Sequence, residues 1–191
     1  MLISGTCFKV PAQNLNIDIL RKIHVSRNQN LDPSMNFMSN SVGPLSILTP
    51  ITIYGIGQIK HDSTLKRKGV LIGGTVVISG LISSGMKLGF KAERPFVTYP
   101  YIKNVGPKVG PNSFPSGHTT QAFALATSVS LAYPKWYVIV PASIYGLGAG
   151  YSRMHLGAHY PRDVLAGAII GSGSAYLSHR LTRWFYNSKR K

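Results

Sequence analysis

The chain has 191 residues, which suits one domain, and its 21 Lys and Arg against 5 Asp and Glu give a formal net charge of +16. Such an excess is typical of nucleic acid binding, but no arginine-rich helix, zinc-ligand spacing or aromatic RNA-binding motif accompanies it. The cations instead flank apolar runs, so we expect a membrane protein between anionic lipid surfaces and no nucleic acid partner. The single cysteine, Cys7, excludes an intramolecular disulfide and a thiolate metal cluster.

The first 41 residues form a segment that we expect to lie at the membrane surface. Residues 1–13 start with a short apolar stretch that lacks a basic beginning and is shorter than the usual signal-peptide core, so a signal remnant and a surface segment both stay open. Leu15, Ile19 and Ile23 recur every four positions and would form one apolar stripe, which Leu20 widens. This spacing predicts a short amphipathic helix at the interface.

Five apolar runs without Asp, Glu, Lys or Arg follow, and each predicts a membrane-spanning helix. They cover residues 42–59, 69–86, 114–133, 136–151 and 164–178. We expect Pro44 and Pro50 to shorten or kink the first run, and a turn at Asp32-Pro33 before it. Glycine pairs four residues apart in the second, fourth and fifth runs allow helices to approach closely, within one chain or between chains.

The fold class that we predict is an all-α integral membrane helical bundle, with about five transmembrane helices and an N-terminal interfacial amphipathic helix. Residues 1–41 would be the interfacial segment, 42–182 the membrane domain and 183–191 a basic cytoplasmic tail. The connector at 60–68, Lys135 and the tail fall on one side of the membrane, which the positive-inside rule makes cytoplasmic. The remaining connectors, with the motifs below, would face the periplasm or exterior.

Three polar clusters lie between residues 87 and 163, and the first joins Lys87 to Arg94-Pro95. Taken alone, these cations are most simply interfacial side chains at a helix end. A planar guanidinium can also bind two phosphate oxygens at once, and a lysine adds a point charge.

The second cluster, Pro115-Ser116-Gly117-His118, opens a predicted helix that starts near residues 114–115, with proline in its first turn. Backbone N–H groups at a helix start suit an anion, Gly117 allows close approach, and Ser116 adds a hydroxyl donor. His118 has the chemistry to protonate a leaving alkoxide. An N-cap role for Ser116 and an ordinary interfacial role for His118 remain alternatives.

The third cluster consists of Ser152-Arg153, His159 and Asp163. His159 and Asp163 are four residues apart, so their side chains can meet on one helical turn. A carboxylate that fixes one imidazole nitrogen leaves the other nitrogen as a nucleophile. Arg153 could reach the same anion.

The other histidines show no chemical pattern. We interpret His155 as a rim residue and expect His24, His61 and His179 to be solvated in polar flanks. No metal and no cofactor are expected, because three cationic side chains could supply the charge neutralisation that Mg²⁺ supplies in kinases and no carboxylate cluster is present.

The three clusters together resemble the signature of the type 2 phosphatidic acid phosphatase superfamily, which includes the vanadium-dependent haloperoxidases. The family pattern is Lys-x6-Arg-Pro, Pro-Ser-Gly-His and Ser-Arg-x5-His-x3-Asp, and every fixed position matches, in order, over residues 87–163. The resemblance implies a helical bundle and metal-independent phosphate-ester hydrolysis through a phosphohistidine on His159, with His118 as acid and Asp163 orienting His159. It also implies a phosphate cradle of Lys87, Arg94, Ser116, Gly117, Ser152 and Arg153. Many membrane members have six spans, whereas five runs are visible here and the first is missing.

The expected function is therefore hydrolysis of a lipid phosphate in a bacterial inner membrane, by an active site on the outer face. Undecaprenyl pyrophosphate, phosphatidylglycerophosphate, phosphatidate and lipid A are the candidate substrates, and the sequence does not choose among them. A lipid-to-lipid phosphotransferase and a catalytically silent lipid-binding protein are the alternatives. Haloperoxidation is disfavoured by the predicted spans and the small size.

Overall fold

The computed structural model describes the backbone of residues 11–188 and the side chains of residues 15–184. Within that part of the chain, every regular element is helical. The α-helices are α1 (Pro11–His24), α2 (Asp32–Ile59), α3 (Ser63–Phe90), α4 (Pro95–Thr98), α5 (Gly117–Ala132), α6 (Trp136–His155) and α7 (Pro161–Ser188), and a 3-10 turn covers Gln29–Leu31. The predicted all-α fold class is confirmed.

Helix α5 lies at the centre of the bundle, in contact with α2, α3, α6 and α7. Its composition explains this place, because small buried residues such as Ala122, Ala124 and Ala126 let neighbouring helices approach closely. The helix begins at Gly117, later than predicted, because Ser116 has an extended backbone and occupies the N-cap position. Pro115 therefore lies outside the first turn.

The packing of α5 against α7 depends on two glycines of α7. A β-carbon at Gly167 would lie 2.7 Å from the carbonyl oxygen of Ser116, and one at Gly171 would overlap the carbonyl oxygen of Thr120. No other residue allows two helix backbones to come this close. The glycine pair of the fifth apolar run therefore packs helices within one chain.

Helix α2 begins at Asp32, ten residues before the predicted span, and continues through Pro44 and Pro50. Pro33 falls in the first turn, where its missing N–H costs no hydrogen bond, so Asp32-Pro33 starts a helix rather than a turn. Pro50 is buried, and its ring faces the small surface of Gly73. The expected shortening of this helix is therefore absent.

Helix α1 packs against α6 and α7 with a face that shares Leu20 with the predicted stripe and otherwise differs from it. Ile17, Leu20 and His24 are buried, whereas Leu15 is 63% exposed. Ile17 and Leu20 form an apolar cluster with Ile102 and Tyr160, which lie in the connectors that follow α4 and α6. Helix α1 thus presents one face to the protein, while its predicted stripe points largely outward.

The two ends of the chain differ in how far they are described. The sequence leaves residues 1–13 open between a signal remnant and a surface segment. Most of them lie outside the described residues, which begin at Pro11, the first residue given for α1. At the other end, the segment expected to be a tail from residue 183 onward is helical as far as Ser188, because α7 continues through it.

The outer surface of the long helices is apolar. Ile47 of α2, Leu147 of α6 and Ile169 of α7 are each 61–64% exposed, and many further aliphatic side chains lie on the same faces. By length and composition, two segments of the described chain, Gln29–Ile59 and Ser63–Thr98, can cross a membrane. An apolar surface of this extent suits lipid rather than water, so the protein is a membrane protein. The number of five spans stays a prediction.

We expect Gly171→Ala to destabilise the bundle by about 1–3 kcal/mol, because its methyl group would push α5 away from α7. Gly173→Ala is the matched control, since no atom lies within 4 Å of its β-carbon position, and it should leave stability unchanged or slightly raised. Thermal unfolding in detergent, followed by circular dichroism, measures both. Equal stability of the two variants would contradict the close α5–α7 contact.

Candidate active site

Helix ends bring the three clusters to one end of the bundle. Helices α3 and α6 end there, and α5 and α7 begin there. Each predicted residue lies in or beside a terminal turn: Lys87 in α3, Arg94 at the N-cap of α4, Ser116 to His118 at the start of α5, Ser152 and Arg153 near the end of α6, His159 just before α7, and Asp163 in the first turn of α7.

His159 and Asp163 form the centre of this region. The Nδ1 atom of His159 lies 3.5 Å from Asp163 Oδ2, and both side chains are buried. The hydroxyl of Ser113 donates to the same carboxylate oxygen at 2.5 Å, and the backbone N–H of Tyr160 donates to it at 3.1 Å. The carboxylate is therefore fixed from three sides, as a group that orients an imidazole requires.

The tautomer of His159 follows from its second neighbour. Its Nε2 atom lies 3.2 Å from Nη1 of Arg94. A guanidinium only donates hydrogen bonds, so Nε2 must accept and the ring proton of the neutral imidazole must sit on Nδ1, towards Asp163. The Nε2 lone pair is thereby directed at Arg94, within the cationic cluster.

Burial lowers the pKa of His159 below its ordinary value, and the hydrogen bond to Asp163 opposes this shift only in part. The imidazole is 1% exposed, and a charged ring would lose its hydration there. Arg94 and Arg153 also disfavour a proton on the ring, because they carry charges of the same sign. His159 is therefore neutral near pH 7, the form in which a histidine is nucleophilic.

Backbone carbonyl groups hold Arg94 in place. Its Nε donates to Gly110 at 2.6 Å, Nη1 to Ala158 at 2.8 Å and Nη2 to Asn112 at 3.0 Å. With the contact to His159, four of its five N–H groups are used. Arg94 therefore positions the connectors around His159 as well as adding charge beside it.

The other two predicted cations differ in their contacts. Lys87 is partly buried, and its Nζ donates to the carbonyl groups of Asn112 and Ser113 at 3.1 and 3.3 Å. Arg153 has no exposed surface, and its Nη1 donates to the hydroxyl of Ser39. Its Nε and Nη2 have no hydrogen-bond partner among the described residues. An anion in this position would satisfy them.

The start of α5 contributes backbone N–H groups and His118. A β-carbon at Gly117 would lie 3.8 Å from Cε of Lys87, which places this turn beside the cations. The N–H of Ser116 is already used, since it donates to the carbonyl of Asp163 at 3.0 Å, and its side chain makes no cap bond. The next N–H groups have no intrahelical partner. His118 is partly buried and lies within the electrostatic influence of Arg153, Lys87 and Arg94.

Ser152 does not turn towards the cluster. Its hydroxyl is buried and donates to the carbonyl of Ala149, in its own helix, at 2.7 Å. Its place in the phosphate cradle therefore stays a prediction without a supporting contact.

Two expectations about other histidines are wrong. His155 is not a rim residue: it is 1% exposed, and its Nε2 lies 2.8 Å from Asp32 Oδ1. His24 is not solvated: it is 2% exposed, and its Nδ1 lies 2.8 Å from the carbonyl oxygen of His155. Both side chains lie between α1, α2 and the end of α6, where three elements exclude water.

Sequence reasoning also missed Ser113, Ser39 and Asp32. The sequence distinguishes Ser113 only by its position three residues before Ser116. A single serine is a weak indication of a functional site. Asp32 had a stronger signal, since it is one of only five acids in the chain. Ser39 had none, because its partner Arg153 is 114 residues away.

Comparisons with known proteins find relatives of this chain in sequence and in fold. A family model described as the PAP2 superfamily matches residues 68–187. Undecaprenyl-diphosphatase BcrC of Bacillus subtilis is 32% identical over 173 residues, which cover 88% of this chain and 84% of that protein. Two solved structures share the fold at 24% identity. Aquifex aeolicus LpxE has a TM-score of 0.76, covering 94% of this chain and 99% of its own. A transmembrane PAP2-type phosphatidylglycerolphosphate phosphatase from Bacillus subtilis has a TM-score of 0.72. The match covers 92% of this chain and 88% of that protein's chain.

We expect the His159 ring to stay neutral well below pH 6.5, the ordinary region of histidine titration, because its pKa is lowered by burial. The measurement is a pH titration of the ring nitrogens by NMR on protein with ¹⁵N-labelled histidine, and the signal missing in His159→Gln assigns the residue. The Nδ1 resonance should have the shift of a protonated nitrogen throughout, and Nε2 that of an unprotonated one. Protonation of the ring between pH 6 and 7 would contradict the assignment.

Proposed function

The chain belongs to the PAP2 superfamily, and we propose that it is a membrane enzyme that hydrolyses the phosphate group of a lipid, with undecaprenyl pyrophosphate as the first candidate substrate. The observation that carries the proposal is the Nε2 lone pair of His159, directed at Arg94 and backed by Asp163. The choice of lipid is supported by the similarity to BcrC, which extends over most of both chains. Phosphatidylglycerophosphate, phosphatidate and lipid A remain further substrates to test.

In the first step that we propose, Nε2 of His159 attacks the terminal phosphorus of the lipid. The N–P bond forms as the P–O bond to the lipid breaks, and His118 gives a proton to the leaving oxygen; it carries that proton once the negatively charged phosphate offsets the nearby cations. Asp163 stabilises the positive charge that develops on the imidazole, and Ser113 keeps the carboxylate in place.

In the second step, water attacks the phosphohistidine. The O–P bond forms, the N–P bond breaks, and neutral His118 takes the proton of the water, so that the enzyme returns to its initial state. Inorganic phosphate and the lipid with one phosphate fewer are the products, so undecaprenyl pyrophosphate would yield undecaprenyl phosphate.

Charge neutralisation would come from side chains. Lys87, Arg94 and Arg153 are gathered at one end of the bundle, with the N–H groups at the start of α5. Preorganised donors around a phosphoryl group in a buried site stabilise its transition state without reorganisation of solvent. We therefore propose a reaction that needs no metal ion.

We also propose that the active site faces the periplasm or exterior of a bacterial inner membrane. Lys87 lies about 36 Å along α3 from its first residue, Ser63, at 1.5 Å per residue. That distance exceeds the hydrocarbon thickness of about 30 Å. The opposite end carries the cations Lys60, Lys66, Arg67, Lys68 and Lys135, which favours a cytoplasmic location for it.

We expect purified protein in detergent and EDTA to release phosphate from lipid substrates, and His159→Ala to lower the rate about a thousandfold or more, because the nucleophile is lost. The control is His61→Asn at the opposite end, since asparagine tolerates the positive φ of 52° found there. Phosphate release is measured over a panel of undecaprenyl pyrophosphate, phosphatidylglycerophosphate, phosphatidate and lipid A.

Three results would count against this function. Activity that disappears in EDTA would exclude a metal-independent reaction. Equal activity of His159→Ala and wild type would exclude the nucleophile. Phosphate that is transferred only when a second lipid is present would identify a phosphotransferase.

The orientation predicts different labelling of two engineered cysteines in a Cys7→Ser background. A cysteine at Lys108, which is exposed on the active-site side, should react with a membrane-impermeant maleimide added to intact cells. A cysteine at Lys66, on the opposite side, should react only after the cells are broken. Labelling of position 66 and not 108 in intact cells would reverse the orientation.

A further inference from the structure

Arg153 is held differently from the other two cations of the site. Lys87 and Arg94 donate to backbone carbonyl groups, whose partial negative charge compensates part of their own. Arg153 has no exposed surface, yet its one hydrogen-bond partner among the described residues is the hydroxyl of Ser39. A buried guanidinium with a neutral partner is costly, so its environment is suited to a negatively charged ligand.

The atoms left without a partner form a recognisable edge. Nε and Nη2 of Arg153 carry two parallel N–H bonds, which lie in the plane of the guanidinium and point away from one of its edges. This edge binds two oxygens of a phosphate group at once. Ser39 accepts from Nη1, on the other side of the group, and so leaves the parallel edge unused.

Ser39 belongs to a polar face of α2 that contacts the active-site segments. Asp32, Asn36 and Ser39 are spaced at i, i+4 and i+7, and therefore lie on one side of the helix. Asp32 contacts His155 at 2.8 Å, and Asn36 donates to the carbonyl of Val105 at 3.3 Å. These two contacts fix the end of α6 and the long connector against α2.

Contacts within the same network keep this face rigid. Arg27 donates to both carboxylate oxygens of Asp32, at 3.0 to 3.3 Å. Ser39 itself is fully buried, so its hydroxyl has few alternative partners. The hydroxyl therefore has a fixed position relative to the last turn of α6, from which Arg153 extends.

We propose that Ser39 is a positioning residue that orients the guanidinium of Arg153, so that its Nε and Nη2 bind two oxygens of the substrate phosphate. The inference rests on the proposed phosphatase function, because that function supplies the phosphate. A guanidinium can rotate about its side-chain torsions, and the hydrogen bond to Ser39 selects the orientation that presents the parallel edge. Ser39 itself touches neither the substrate nor His159.

The test uses orthovanadate as a phosphate analogue, with binding to detergent-purified protein measured by calorimetry. Ser39→Ala should weaken binding about tenfold, since a hydrogen bond to a charged group is lost and Arg153 is no longer oriented. Ser39→Thr retains the hydroxyl and should bind close to the wild-type affinity. Ser41→Ala is the matched control on the same helix, because its hydroxyl contacts Tyr145 and Met38 instead, and it should have no effect.

A double-mutant cycle separates positioning from a general loss of structure. In an Arg153→Ala background, Ser39→Ala should cause no further loss of vanadate binding. Equal binding by wild type and Ser39→Ala would overturn the inference, and so would an undiminished effect of Ser39→Ala in the Arg153→Ala background. Loss of binding in Ser39→Thr equal to that in Ser39→Ala would do so as well.

The same variants are compared in phosphate release, where Ser39→Ala should raise KM about tenfold and leave more of kcat than His159→Ala does. Failure of the proposed function gives a different result. Wild-type protein would then release no phosphate from any lipid, while the vanadate measurements would still report whether Ser39 orients Arg153.

Discussion

The structure depends on a concentration of positive charge that its own carboxylates do not balance. Lys87, Arg94 and Arg153 lie at one end of the bundle, and the carboxylate within this group is that of Asp163, which is already engaged by Ser113 and His159. Cations removed from water need compensation, and carbonyl groups supply only part of it. The stable partner for this arrangement is a multiply charged anion. The proposed binding of a phosphate group rests on that imbalance.

The bundle gathers these charges because its helices end where they do. Two helices reach this end with their last turns and two leave it with their first turns, so residues that are far apart in sequence share one small volume. Short connectors then bring His159 beside Asp163, and Arg94 fastens the longer connector through the carbonyl groups of Gly110 and Asn112. The apolar outer faces have a separate role, because they suit the lipid of a membrane. The residues of the site therefore lie at the helix ends and in the adjoining connectors, apart from the lipid-facing surface.

Much of this arrangement could be predicted from the sequence, because its signals are local. Uncharged runs predict long helices, and the spacing of four predicts the contact of His159 with Asp163. Contacts between distant segments have no such local pattern in the sequence. The contacts of Ser39 with Arg153 and of Asp32 with His155 each join residues that are more than 100 positions apart. Prolines misled the prediction of α2, because Pro33 starts the helix and Pro50 is accommodated beside Gly73. His24 was assigned to solvent because its sequence neighbours are polar, whereas tertiary contacts bury it.

The cations that stabilise a phosphate ester also have a consequence for turnover. The same fixed positive charge would attract inorganic phosphate, since the unpartnered N–H edge of Arg153 is suited to oxygens that ester and free phosphate have in common. In the proposed reaction, the second product is therefore itself a ligand of the site. Its departure into the aqueous phase then becomes a step of the cycle, and phosphate in that phase would compete with the lipid. An enzyme of this design would respond to the phosphate content of its surroundings without any separate regulatory site.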